Sequence, residues 1–216
     1  MRTLGINEKY ITGAGSDLEK FNQWAYTVPF TMRNPLYHWT HMELYRYFGI
    51  DSLLTEANAQ EIYSQSSEML QGEDFRAQVL LEKMNVEVVC TTDDPVDSLE
   101  HHELFFTQNQ KLEMYPAFRP DKSFAIENSE SYQAYLKKLG EVVGFEISTF
   151  DRLLEALSYR IEFFHSRGCR LSDHGLEHLH FVKDSGFSTQ KIFQKAIDGA
   201  LLSQDEVSFF KYEVLL

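Results

Sequence analysis

The chain has 216 residues, 43% hydrophobic and 25% charged, which places it among ordinary globular proteins and allows one domain or two. Chains of this size remove roughly 70% of their unfolded surface from water on folding, and 17 Phe with 11 Tyr supply large side chains for the interior, so no disulfide or metal staple is required. The net charge of −13, with Lys137 and Lys138 as the one adjacent basic pair, argues against nucleic acid or an anionic membrane surface as a partner.

Cys90 and Cys169 fit no metal spacing and fall on predicted strands, where a reduced cysteine behaves as a small apolar residue. The sequence has no apolar run near 18 residues and no signal-peptide pattern after Met1, so a cytoplasmic protein is expected.

In chain order, residues 1–84 read as helices joined by short turns, and residues 85–216 as alternating strands and helices. "SDLE", 16–19, has the capping-box pattern, and Leu18, Phe21 and Ala25 follow at helical spacing beside Trp24. Asn34 and Pro35 open a second helix that Gly49 ends. Asn58 with Glu61 starts a third, stopped at Gly72, and Asp74 is placed to cap a fourth that runs through Met84.

"VEVVC", 86–90, is then short and β-branched and predicts a strand, followed by the polar turn "TTDDP", in which Asp94 and Pro95 read as the N-cap and first residue of a helix. "KLEMYPAFR", 111–119, predicts a second strand interrupted by Pro116. Helices follow at about 129–143 and 149–166, the latter with Phe150, Leu153, Leu154, Leu157, Ile161 and Phe164 on one face. "GCRLSDHG", 168–175, predicts a third strand and polar loop, and helices are expected at about 188–199 and from Ser203, where "SQDE" repeats the capping box.

Strand, polar loop and helix, three times over, predict a parallel sheet with helical crossovers. Each predicted strand ends in polar residues: Thr91, Thr92, Asp93 and Asp94; then Arg119, Asp121 and Lys122; then Ser172, Asp173 and His174. In parallel α/β folds the functional crevice lies at these carboxyl ends. Three strands do not close a barrel, an open sheet of three has two edges to cover, and the sequence stops at "FFKYEVLL" inside an apolar helical run, so a portion of a larger protein is expected.

Arg119 carries a charge that stays on and a planar fork suited to carboxylate or hydroxyl oxygens; the structural alternative is an ion pair with a neighbouring carboxylate such as Asp93 or Asp94. Asp93 is a further candidate, whereas Asp94 is explained as a cap. Asp173 and His174 read either as a proton-handling pair or as a hydrogen-bonded loop. Among the other histidines, His178 and His180 of "HLH" imitate a ligand pair but read as surface or edge positions. His38 and His41 share a helix face, which any helical stripe also produces. His101 and His102 are adjacent on a helix and point apart, and Phe105 stands where a zinc-protease motif begun at His101 needs its second histidine.

Taken together and in this order, "NPLYHWTHMELYRYFGI", "TTDDPVDSLEHH", "YPAFRPDK" and "GCRLSDHG" strongly resemble the uronate isomerase (glucuronate isomerase) family of the amidohydrolase superfamily, from "MRTLG" to the last residue. The resemblance implies a helix-rich α/β chain, a partial (β/α) TIM-type barrel of about three parallel strands in residues 85–216, with a helical insertion subdomain in residues 1–84. It implies an aldose-ketose isomerase acting on a uronate sugar, D-glucuronate to D-fructuronate and D-galacturonate to D-tagaturonate, through an enediol. Arg119 matches a family position that reaches the bound uronate. A divalent metal such as zinc, where required, would take ligands outside this sequence, and neither a nucleic-acid nor a membrane partner is expected, with a homo-oligomer left open. The isolated 216 residues are expected to be inactive. Readings outside this one are a hydrolase on the same scaffold, or a noncatalytic helical module with an apolar groove among residues 17–84.

Overall fold

The computed structural model describes residues 1–108, 111–176, 179–182 and 186–216, and the chain divides into two units, Met1–Met84 and Asn85–Leu216.

The first unit is helical. Helix α1, Asp17–Thr27, begins with both bonds of its capping box in place, Glu19 N–H to Ser16 Oγ and Ser16 N–H to the Glu19 carboxylate. Helix α2, Pro35–Phe48, is capped by the Asn34 side chain and ends on Gly49 in the left-handed conformation, φ 67°, where a residue without Cβ is unstrained. Helices α3, Ala59–Leu70, and α4, Ala77–Lys83, follow. Two expected caps are not used. Asn58 turns its side chain back to Thr55 and Leu53, and Asp74 lies in a separate 3-10 turn, Glu73–Phe75, so that Arg76 precedes α4. For Asn58 the preceding turn offered the short polar side chain other backbone partners.

The apolar core of this unit is made by Ala25, Val28, Leu44, Ile50, Leu54, Ala59 and Ile62. His41 ties it together: its Nδ1 donates to the Tyr37 carbonyl at 2.8 Å, and its Nε2 accepts from Leu54 N–H at 3.0 Å. Exposed His38 shares none of this, so the pair on one helix face gathers no common ligand.

In the second unit, β1, Val88–Asp93, pairs parallel with β2, Glu113–Phe118, with Val88 opposite Glu113 and Asp93 opposite Phe118. The crossover holds α5, Glu100–Gln108. Helices α6, Ser129–Val143, and α7, Phe150–Ser166, follow β2; α8, Thr189–Ile197, and α9, Gln204–Leu215, complete the unit, with the Ser203–Glu206 capping box formed. Tyr132, Phe150, Phe193 and Phe210 make an aromatic cluster at centroid distances from 5.6 to 6.5 Å, inside a core that also takes in Leu139, Leu153 and Ile192. Each such side chain removed from water stabilises by about 1.5–3 kcal/mol.

Several expectations shift here. Strand β1 starts two residues later and runs through Thr91, Thr92 and Asp93, because β2 offers these residues a hydrogen-bonding partner that a local turn would not. Asp94 caps no helix: its Oδ1 accepts from Val96 N–H in a turn and from the Tyr135 hydroxyl, and α5 begins only at Glu100. The third predicted strand is reduced to one parallel bridge, Phe118 to Ser172, flanked by Phe118 N–H to Leu171 O at 3.2 Å and Asp173 N–H to Phe118 O at 3.1 Å.

The buried face of α7 is Leu153, Ala156, Leu157, Arg160 and Phe164, while Leu154 and Ile161 are exposed. Arg160 is tolerated inside because its guanidinium donates to the carbonyls of Pro95, 2.5 Å, and Asp97, 2.9 Å, and lies 4.0 Å from the Phe163 ring centroid. Of the cysteines, Cys169 is buried but outside a strand and Cys90 is on β1 but exposed.

Candidate functional site: a polar rim at the strand ends

Arg119 directly follows β2, and its backbone N–H donates to the Asp93 carbonyl at the end of β1, 2.9 Å away. This fixes the arginine at the carboxyl end of both strands. Its side chain crosses to the third segment, where Nε donates to the Asp173 carbonyl at 2.7 Å and Nη2 to Asp173 Oδ2 at 2.6 Å. The ion pair with a neighbouring carboxylate that was the structural alternative is therefore present, with Asp173 and not Asp93 or Asp94 as the partner, because the bridge at Phe118 and Ser172 sets residue 173 beside residue 119. Arg119 keeps its Nη1 donors free of a protein partner among the described residues. Both side chains remain partly open, 36% for Arg119 and 43% for Asp173.

Thr92 donates to the same Asp173 Oδ2 at 2.8 Å. This hydrogen bond, opposed by partial desolvation and helped by the Arg119 charge, holds the Asp173 carboxyl below the usual carboxylate range.

Beside this pair stands a second one. His174 Nδ1 lies 2.9 Å from Asp121 Oδ1, and Asp121 Oδ2 accepts from Gly175 N–H at 2.7 Å. Asp173 and His174, read together in the sequence, therefore do not bond each other: each is held by a residue that follows β2. A Cβ placed on Gly175 would come within 3.3 Å of Asp121 Oδ2 and 3.8 Å of Arg119 Nη1, so the glycine lies close against both pairs.

Asp93 is turned away from this cluster. Its Oδ2 accepts from the Thr91 hydroxyl at 2.6 Å and lies 3.7 Å from His102 Nε2, with the carboxylate only 13% exposed. Having donated to Asp93, Thr91 accepts from His102 Nε2 at 2.7 Å, which leaves the buried His102 Nδ1 as a lone-pair nitrogen with no hydrogen-bond partner among the described residues. His101 is exposed. Lys122 pairs with Asp94 at 3.1 Å. His178 lies outside the described residues, and His180 is half-buried.

Among the described residues no three His, Cys, Asp or Glu side chains gather as a metal site requires. The rim carboxylates are already engaged by Arg119, Thr92, His174 and Gly175, so the residues present do not fit a divalent cation and no step is routed through one. No helix among the described residues is long and apolar enough to cross a membrane.

The site contains residues that sequence reasoning passed over. Asp121 and Thr92 were visible as members of polar strand-end clusters, but nothing local marks them as the partners of His174 and Asp173. The buried His102 and Arg160 carry no sequence signal beyond helical position.

Fold and rim define a class: a helix-rich α/β protein whose hydrogen-bonding side chains converge at the carboxyl ends of parallel strands, the usual place for a small polar ligand. Within that class, the family model for glucuronate isomerase matches residues 1–216, and the chain belongs to that family. It is 49% identical to a uronate isomerase of Flavobacterium johnsoniae over all of this chain and 46% of that protein, and 48% identical to one of Caldanaerobacter subterraneus over 98% and 45%. The crystal structure of uronate isomerase from Thermotoga maritima matches with a TM-score of 0.89 and 35% identity, covering 99% of this chain and 47% of the other. The glucuronate isomerase of Caulobacter crescentus shares the fold at a TM-score of 0.87 and 22% identity. The chain thus spans about half the length of these relatives.

Proposed function

We propose that these residues form the substrate-orienting part of a uronate isomerase, which interconverts D-glucuronate and D-fructuronate, and D-galacturonate and D-tagaturonate. Residues 85–216 are read as a segment of a (β/α) barrel of the amidohydrolase type, and residues 1–84 as the helical insertion. The observation that carries the proposal is the convergence of Arg119, Asp173, Asp121 and His174 at one strand end in a chain of this family.

In aldose-ketose isomerisation a general base takes the proton from C2, the enediol forms as the carbonyl oxygen gains a proton, and a proton returns to C1 while the C2 hydroxyl becomes the new carbonyl. Arg119 is assigned the orientation of substrate oxygens, since a guanidinium held on one edge by Asp173 presents its remaining donors in a fixed direction. Any divalent ion, such as zinc, would be held by residues other than these. A cytoplasmic location completes the proposal.

The test exchanges these 216 residues into the F. johnsoniae enzyme in place of the matched stretch. The chimera is expected to convert D-glucuronate to D-fructuronate, and R119K to lower kcat/KM by about 10- to 100-fold, the loss of a charge-assisted, planar contact. Unchanged kinetics in R119K would remove the assignment. A helical interaction module retains one observation in its favour, an apolar crevice of about 300 Å³ lined by Phe21, Trp24, Leu44, Phe48, Leu54 and Tyr63. Full turnover by a chimera in which this crevice is filled by L44F would count against that use.

A further inference from the structure

We infer that the rim is a subsite for the hydroxyl-bearing carbons of the sugar acid and not for its carboxylate, with His174 Nε2 as the acceptor of a substrate hydroxyl and Asp121 as the residue that sets its tautomer. The inference rests on the isomerase proposal and names what the site within it grips.

Charge comes first. The cluster sets one permanent cation, Arg119, against two carboxylates, Asp173 and Asp121, and Lys122 is already paired with Asp94. An incoming carboxylate would meet a guanidinium whose Nε and Nη2 are taken by Asp173, with a second carboxylate beside it. Neutral hydroxyls meet no such opposition. They both donate and accept, and so need a surface that offers both roles.

The rim offers both. On the donor side, Arg119 keeps Nη1, close to Gly175, where no side chain intervenes. On the acceptor side, the carboxylate of Asp121 accepts a hydrogen bond and cannot donate one when ionised, so the His174 Nδ1 at 2.9 Å carries the proton in that contact. In the neutral ring Nε2 is then the lone-pair nitrogen, and it has no protein partner among the described residues. Asp121 cannot swing away without releasing Gly175 N–H, its second partner, so the ring and the loop are fixed by one carboxylate. The Phe124 ring, its centroid 6.3 Å from that of the imidazole, flanks His174 from the segment after β2. Asp121 is a positioning residue: it acts through the histidine.

Imidazole 15N spectra of the 216-residue chain test this without turnover. Wild type is expected to show His174 protonated on Nδ1; D121A should populate the Nε2–H form, and D121N, which keeps an oxygen for Nδ1–H, should restore the wild-type tautomer. D-Glucuronate should shift the Nε2 resonance, and so should D-xylose, which has the hydroxyls without the carboxylate; succinate, a carboxylate without hydroxyls, should not. In the chimera, H174F should raise KM about tenfold, the worth of one hydrogen bond, with kcat changed less. An Nε2–H tautomer in wild type, a tautomer unmoved by D121A, an Nε2 signal indifferent to both sugars, or one that succinate shifts equally would each overturn the inference. Turnover by the chimera with a silent Nε2 defeats the hydroxyl subsite alone, whereas a sugar-dependent Nε2 shift with no turnover defeats the isomerase assignment alone.

Discussion

The two units put a half-buried histidine to opposite uses. In Met1–Met84 the His41 ring gives Nδ1–H to the Tyr37 carbonyl and takes Leu54 N–H on Nε2, so both nitrogens serve the backbone and neither is left for a ligand. In Asn85–Leu216 the His174 ring gives one nitrogen to Asp121, and the other has no partner among the described residues. Both residues are neither fully exposed nor fully buried. What separates a strut from a site is how many ring nitrogens the fold has already claimed.

Four substitutions sharpen that contrast, in order of expected size. Phe193 is fully buried in the aromatic cluster of the second unit, and F193A is expected to cost about 3–5 kcal/mol in urea denaturation, as large-to-small core replacements do. A loss near zero would mean that the cluster does not hold that unit together.

In the first unit H41F keeps the ring's bulk but removes the acceptor of a buried N–H, so about 1–3 kcal/mol should be lost. H38A, at an exposed position on the same helix, should stay within about 0.5 kcal/mol. Equal effects from the two would erase the distinction drawn for His41.

The smallest effect is expected from T92V, which removes the main cause of the lowered Asp173 pKa. Because the folded value lies below the unfolded one, the stabilisation linked to this carboxylate is complete above the ordinary carboxylate range and is lost as pH falls through the lowered folded value. T92V should move the Asp173 midpoint upward in a carboxyl 13C titration and narrow that acid window; a midpoint that stays put would shift the credit to Arg119.

Much of the fold was legible because its signals are local. Ser16 with Glu19, and Ser203 with Glu206, are three residues apart and close their boxes whatever surrounds them, and Gly49 ends its helix for a reason internal to one residue. Four segments in order carried the family. The placement of Arg119 at a strand end was legible from the strand-loop-helix order.

Its partner was not, since Arg119 and Asp173 are 54 positions apart and meet only because a single bridge aligns the third segment. The same holds for Asp121 and His174, 53 apart. Asp94 misled for the converse reason: the local code for a cap was present, but a turn and the Tyr135 hydroxyl, 41 positions away, claimed the carboxylate first. The apolar stripe of α7 held at Leu153, Leu157 and Phe164 but not at Leu154 and Ile161, which are exposed while Arg160 is buried on carbonyl partners.

Cys90 sits exposed on β1, two residues before Thr92, and the only other thiol, Cys169, is buried. A maleimide fluorophore would therefore settle on one strand of the unaltered polypeptide, a short step from the rim. Occupancy by a sugar could then be followed as a change in emission, with no engineered cysteine and no need for the molecule to turn over.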